Sequence, residues 1–325
     1  MTAGIEYKVS IIVPVFHVEQ YIIKCLKSVA AQTMTEGLEC IIIDDCGGDN
    51  SIILAEEFCR NYQGDISFSI VYRKQNGGLS AVRNSGISQA RGRYLYFLDS
   101  DDEITPDCME LMYSFVEKYG NVDLVQGAFY ETEQEKPTKS NHKLPEFTDD
   151  RKMIKSFLLL YDGDVVRAQS RLVNKEFLIK HNLYFKEGII HEDNYWTFFL
   201  AKNIVSMCFC NVRTYFHRNN PNSITRNINR DKETTAYLTI IKDTSLNIDS
   251  FLSGYQKEWI LNNLITAINN NYYDKERGKK HLIGVFAEKN NILERFLLNI
   301  YFRTNGRKFG KAILHLLIRI YKFTE

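Results

Sequence analysis

The sequence is poor in residues that break or staple a chain. Five prolines and 18 glycines in 325 residues exclude collagen-like or low-complexity architecture and leave little room for disorder. The seven cysteines, Cys25, Cys40, Cys46, Cys59, Cys108, Cys208 and Cys210, are odd in number and contain no C-x-x-C pair. Neither a disulfide framework nor a zinc site is indicated, and reduced thiols are expected. An excess of one charge is also missing: 41 Lys and Arg face 40 Asp and Glu, so the basic surplus of nucleic-acid binders is absent and no nucleic-acid partner is expected. No stretch approaches the roughly 18 to 20 apolar residues of a membrane-spanning helix. The first residues carry neither a basic n-region nor a small-residue cleavage site before the apolar run at Val9, so a cytoplasmic chain is the expectation.

What is present reads as globular. With 44% hydrophobic and 25% charged residues, the chain can bury a sizeable core. Residues 9–15 and 40–43 are short, β-branched apolar runs, the pattern of strands buried on both faces of a parallel sheet. Tyr21, Ile22, Cys25, Leu26 and Val29 recur between them at helical spacing, as a right-handed crossover requires. The alternation continues with a helix over 52–62, a strand over 67–72, a helix over 79–90 and a strand over 94–98. Thr105-Pro106 has the form of an N-cap followed by proline at the first helical position, which predicts a helix from there to about Tyr119. A strand at 123–130 and a polar loop at 131–145 follow. Beyond Asn229 helical patterns dominate. The expectation is an α/β domain with a mostly parallel central sheet over 1–226 and an all-α region over 227–325.

In such a sheet ligands bind at the carboxyl ends of the strands, and several of these ends are polar beyond what packing requires. Asp44-Asp45-Cys46-Gly47-Gly48-Asp49 closes the second strand, where a carboxylate can accept from a nucleobase edge; a turn with an Asp49 or Asn50 helix cap is the plain alternative. Asn76-Gly77-Gly78-Leu79-Ser80 leads into a helix whose free N–H groups could face an anion, with Arg83 and Asn84 one turn inside; by itself it is also an ordinary glycine turn. Asp99-Ser100-Asp101-Asp102 carries the most weight. Three carboxylates in four residues repel one another unless a cation or solvent relieves them, and hard oxygen ligands suit Mg²⁺ or Mn²⁺. The alternative is a solvated acidic turn. Glu192-Asp193 stands at the mouth of an apolar helical segment, where a partly desolvated acid can serve as a base or simply favour the helix dipole. His217-Arg218 joins a metal-capable imidazole to a guanidinium that can grip phosphate.

Taken in order, these motifs resemble the family 2 glycosyltransferases of the GT-A fold over roughly residues 8 to 226. The resemblance implies that Pro14 and Asp45 line a uracil pocket, that Asn76, Arg83 and Arg218 serve the nucleotide, and that Asp99 lies by the ribose. It further implies that Asp101 ligates Mn²⁺ or Mg²⁺ and that Asp193 is the base of an inverting, single-displacement transfer from a nucleotide sugar to a glycan or polyprenyl-linked acceptor. Asp102 is expected to cap the following helix. His217 stands where the family has an aromatic residue and is a candidate additional metal ligand. A protein that kept the fold as a carbohydrate-binding or scaffolding module is the rival class.

Near the end, Arg303, Arg307, Lys308, Lys311, Arg319 and Lys322 have no acid between them, while Ile313, Leu317, Ile320 and their neighbours form a broad apolar face. That pattern suits peripheral contact with the inner face of an anionic membrane, and equally a homodimer or a helix packed on its own domain.

Overall fold

The computed structural model describes residues 6–130, 144–160, 167–218, 220–221, 229–249 and 253–269. The expected α/β alternation is there. Strands β1 (Val9–Val15), β2 (Leu38–Asp44), β3 (Ser67–Tyr72) and β4 (Tyr94–Phe97) are separated by helices α1 (Ile22–Ala30), α2 (Ser51–Asn61) and α3 (Gly78–Gln89). β1 pairs in parallel with both β2 and β4, and β2 with β3. Every residue of β1 is buried, which is why its sequence is mainly apolar and not an alternation, its one polar side chain, Ser10, donating to Glu39 at 2.6 Å. Gly86 lets α3 lie directly on β1: a Cβ there would sit 2.4 Å from Ile12 Cγ2.

The second half of the sheet is mixed. It contains β5 (Glu103–Ile104), β6 (Leu124–Tyr130), β7 (Phe147–Thr148), β8 (Arg171–Asn174) and β9 (Met207–Phe216), with α4 (Cys108–Tyr119), α5 (Arg151–Leu160), α6 (Lys175–Lys180) and α7 (Glu192–Asn203) between them. The strand order is β3-β2-β1-β4-β8-β6-β9-β5, with β7 also on β9. β8 runs antiparallel to both neighbours. The helix expected from Thr105-Pro106 begins only at Cys108, because the chain is still held as a strand: Glu103 pairs with Phe216, and the Thr105 amide donates to the Thr214 carbonyl at 2.9 Å. All seven cysteines are unpaired.

The chain forms two compact units. The first comprises Met1–Ile154, Arg167–Gly188 and Asn203–Ser223, and holds the sheet. The second comprises Lys155–Val166, Ile189–Lys202 and Ile224–Glu325, and its described part is helical. There α8 (Arg230–Ser245) and α9 (Ser253–Asn269) follow α7. Phe198 of α7 meets Trp259 of α9 at 5.1 Å between ring centroids. Lys155, almost fully buried, donates to Asp249 at 2.8 Å, and Gln256 and Lys202 converge on the same carboxylate. Removing a charged partner from such a cluster leaves the other charge uncompensated. No helix among the described residues is long and apolar enough to cross a membrane. The basic, apolar segment around 303–323 lies outside the described residues.

Candidate active site

The carboxyl ends of β1, β2 and β4 converge, since these strands are neighbours and parallel. Pro14 is buried in β1 opposite Ile43 of β2. One residue past β2, Asp45 is buried, and three protein donors surround it: Arg73 Nη1 at 2.9 Å, the Gly77 amide at 2.9 Å and the Gly78 amide at 2.8 Å. Asn76 Nδ2 donates to the Asp45 carbonyl at 3.1 Å. The N–H groups at the start of α3 thus do face an anion, as a helix N-terminus favours, but in this structure the anion is the protein's own Asp45. Gly78, at φ 79°, supplies the left-handed backbone that lets both amides point at it. The motifs at 44–49 and 76–80 are therefore one assembly. Arg73, which closes it, was not among the residues singled out from sequence.

The acidic cluster lies past the end of β4. One ligand atom each of Asp99, Asp101 and Asp102 can be chosen so that all lie within 4.8 Å of one another. Each carboxylate has a different set of partners. Asp99 accepts from Arg83 Nη2 at 3.0 Å and from Gln169 Nε2. Arg83 is fully buried and its guanidinium lies 5.1 Å from the Phe185 ring, so it holds Asp99 in place from within the core. Asp102 is also buried. It accepts from the Tyr215 hydroxyl at 2.7 Å and the Arg218 amide at 2.8 Å, and faces His217 Nδ1 at 3.3 Å. The expectation that Asp102 caps α4 is corrected: it ties the end of β4 to the end of β9. The Asp102 carboxylate holds the His217 imidazole above its usual pKa, and His217 is not one of the clustered metal-capable groups. The Arg218 guanidinium is paired with Glu103.

Asp101 is the least compensated of the three. It accepts from Asn220 Nδ2 at 2.9 Å, yet burial, then the charges of Asp99 and Asp102, push its pKa up to about 6. A carboxyl group in that state is one that a hard divalent cation would relieve, and the all-oxygen donor set fits such an ion.

Asn84 grips the chain past α6 in both directions, donating to the Phe185 carbonyl at 2.9 Å and accepting from the Phe185 amide at 2.8 Å. Asp193 lies in the second unit, in the first turn of α7 beside buried Glu192. A cavity of about 980 Å³ opens elsewhere, at the amino ends of the strands, lined by Tyr7, Arg91, Arg93 and Lys175 among others. None of the acidic strand-end residues lines it, and the chemistry is not there.

Arg73, Gln169, Asn220 and the Tyr215 hydroxyl are the site residues sequence reasoning missed or left without a role. Gln169 carries no local signal, because it reaches Asp99 only through the antiparallel insertion of β8. His217-Arg218 marked the end of β9 in the sequence, but nothing there showed what the neighbouring Tyr215 and Asn220 would grip.

The sheet, parallel in its first half and mixed in its second, is shared with solved structures. The chain superposes on Staphylococcus aureus TarS 1–349, solved with UDP-GlcNAc, with a TM-score of 0.69 at 19% identity, covering 98% of this chain and 92% of that one. It also superposes on the mannosyltransferase PcManGT of Pyrobaculum calidifontis, solved with GDP-Man and Mn²⁺, with a TM-score of 0.54 at 11% identity, covering 96% and 86%. The glycosyl transferase family 2 profile matches residues 10–189, more than half of the chain, and the chain belongs to that family of glycosyltransferases. Similar relatives include the uncharacterized glycosyltransferase EpsJ of Bacillus subtilis, 29% identical over 67% of this chain and 62% of EpsJ. The minor teichoic acid biosynthesis protein GgaB of the same organism is 35% identical over 37% of this chain and 13% of its own length. The cholesterol galactosyltransferase of Borreliella burgdorferi is 24% identical over 91% of this chain and 74% of that protein. The chain thus spans well under two thirds of GgaB and slightly less than two thirds of EpsJ.

Proposed function

We propose that this glycosyltransferase moves a sugar from a uracil nucleotide sugar to a glycan or lipid-linked glycan acceptor of the cell surface, in one displacement that inverts the anomeric centre. The observation that carries the proposal is the Asp99, Asp101 and Asp102 cluster with the Asp101 carboxyl pushed up to about 6. Asp101 is the proposed ligand of Mn²⁺ or Mg²⁺; when bound, the ion supplies neutralisation of the charge that grows on the departing diphosphate. Asp99, fixed by Arg83 and Gln169, is oriented toward the ribose, and Pro14 with the Asp45 assembly frames the base. Asp193 takes the proton of the acceptor hydroxyl as that oxygen attacks the anomeric carbon. The UDP-GlcNAc complex of TarS supports the choice of a UDP donor, the Mn²⁺ complex of PcManGT supports the metal, and the name of GgaB supports a surface-polymer acceptor. The basic pattern around 303–323 supports peripheral contact with the cytoplasmic face of the membrane.

Calorimetric titration of UDP, GDP and CDP, each with and without Mn²⁺, followed by turnover of the matching nucleotide sugars, tests this reading. Metal-dependent binding of UDP that is lost in Asp101→Ala is the expected result. Nucleotide binding indifferent to metal, or turnover unchanged in Asp101→Ala, would sink it.

A further inference from the structure

His191, immediately before Glu192-Asp193, has a left-handed backbone with φ 60°, a conformation uncommon for residues with a Cβ, His less so than most, and supported here by its surroundings. Its carbonyl accepts the amides of Asn194 at 3.1 Å and Tyr195 at 3.4 Å, so it is the residue on which α7 starts. Those surroundings lie on one stripe of α8. His191 Nε2 is 3.3 Å from Glu233 Oε1, and the imidazole packs on the Tyr237 ring with centroids 5.2 Å apart. Glu233 and Tyr237 are four residues apart, one above the other on the same helix face. One turn further along α7, the Tyr195 hydroxyl donates to Asp243, farther along α8, at 3.3 Å. α8 is itself capped at its start, where the Asn229 side chain accepts from the Asp231 amide at 2.8 Å. The short turn carrying Glu192 and Asp193 is thus fastened to α8 on both sides, at His191 and at Tyr195.

We propose that Glu233 and Tyr237, acting through His191, are positioning residues that set the direction in which the Asp193 carboxylate leaves the start of α7. The proposal rests on Asp193 being the base. Rotation about the His191 backbone swings Asp193 as a lever, and proton abstraction tolerates little misplacement. It makes α8 a working part of the catalyst.

The test uses the full chain and UDP release from UDP-GlcNAc, UDP-glucose and UDP-galactose, followed on the donor the wild type turns over fastest. Glu233→Ala should lower kcat roughly 10- to 100-fold while the donor KM stays within about twofold. Glu233→Gln, which keeps an acceptor for the ring N–H, should recover most of that loss. His191→Asn, tolerant of the left-handed backbone but too short for Glu233, should behave as Glu233→Ala does. In an Asp193→Asn background Glu233→Ala should cost nothing further, because both changes remove the same function. An equal loss on top of Asp193→Asn would overturn the inference, as would unchanged kcat or a donor KM rising in step with the lost kcat. If Asp193→Asn alone leaves turnover intact, the assignment of the base has failed; if it abolishes turnover while Glu233→Ala does nothing, only the positioning role has failed.

Discussion

Two acidic strand ends flank β1 in this sheet, one on β2 and one on β4, and they obtain their counter-charge from different sources. At the end of β2, Asp45 is neutralised from inside by the Arg73 guanidinium and by two amides at the start of α3. At the end of β4, Arg83 compensates Asp99, and the Tyr215 hydroxyl and the Arg218 amide satisfy Asp102, while Asp101 accepts from the Asn220 side-chain amide and its pKa is still pushed up to about 6. The first end is finished by folding. The second retains a deficit of positive charge that the proposed cation would relieve. A run of aspartates therefore says little by itself about metal binding; what matters is how many of its oxygens the protein has already satisfied.

The contrast can be broken most directly at Asp101. Asp101→Ala should reduce turnover by about 10³-fold or more, the scale of the several kcal/mol that a metal contributes at a charged leaving group, and should abolish Mn²⁺-dependent UDP binding in calorimetry. Arg83→Met attacks the compensated neighbour. It leaves the partly buried Asp99 without its cation and should destabilise the protein by about 3 kcal/mol, read from urea denaturation. Asp45→Asn should cost less, about 1 kcal/mol, through a weaker α3 N-terminus and a lost partner for Arg73, and Mn²⁺ affinity measured without nucleotide should not change. Titration sharpens the same point. Because the folded-state pKa of Asp101 is raised, the folded protein holds a proton the unfolded chain has released, so this carboxyl withdraws stability as pH rises from about 4 through about 6. The metal-free protein should accordingly melt higher at pH 5 than at pH 7 by a margin that Asp101→Asn removes, and Mn²⁺ affinity should fall below about pH 6 as protons compete for the same oxygen.

Much of the first half of the fold was legible. β1 through β4 and their helices lie within two residues of their expected limits, because burial on both faces writes a mainly apolar run and crossover helices write a 3.6-residue period. The start of α4 was misplaced, since Thr105-Pro106 carries a local helix signal that pairing of Glu103-Ile104 with β9 overrides. The acidic cluster was legible as a list of residues, but the separate tasks of its members were not. Asp102 was read as a local cap and instead holds Tyr215, 113 residues away.

The sequence by itself determined the alternating strands and helices, the positions of the acidic strand ends, and a family resemblance that the family profile bears out. Those features depend on residues close together in the chain, where periodicity, capping and charge density act. Only the tertiary structure decided that the α3 N-terminus is occupied by Asp45, that Gln169 and Arg83 share Asp99, and that Asp101 is left with the deficit. Each of these joins residues 16 to 119 positions apart. Such contacts are set by which strands pair, and a residue's own neighbours in sequence carry no record of the group that packing will place against it.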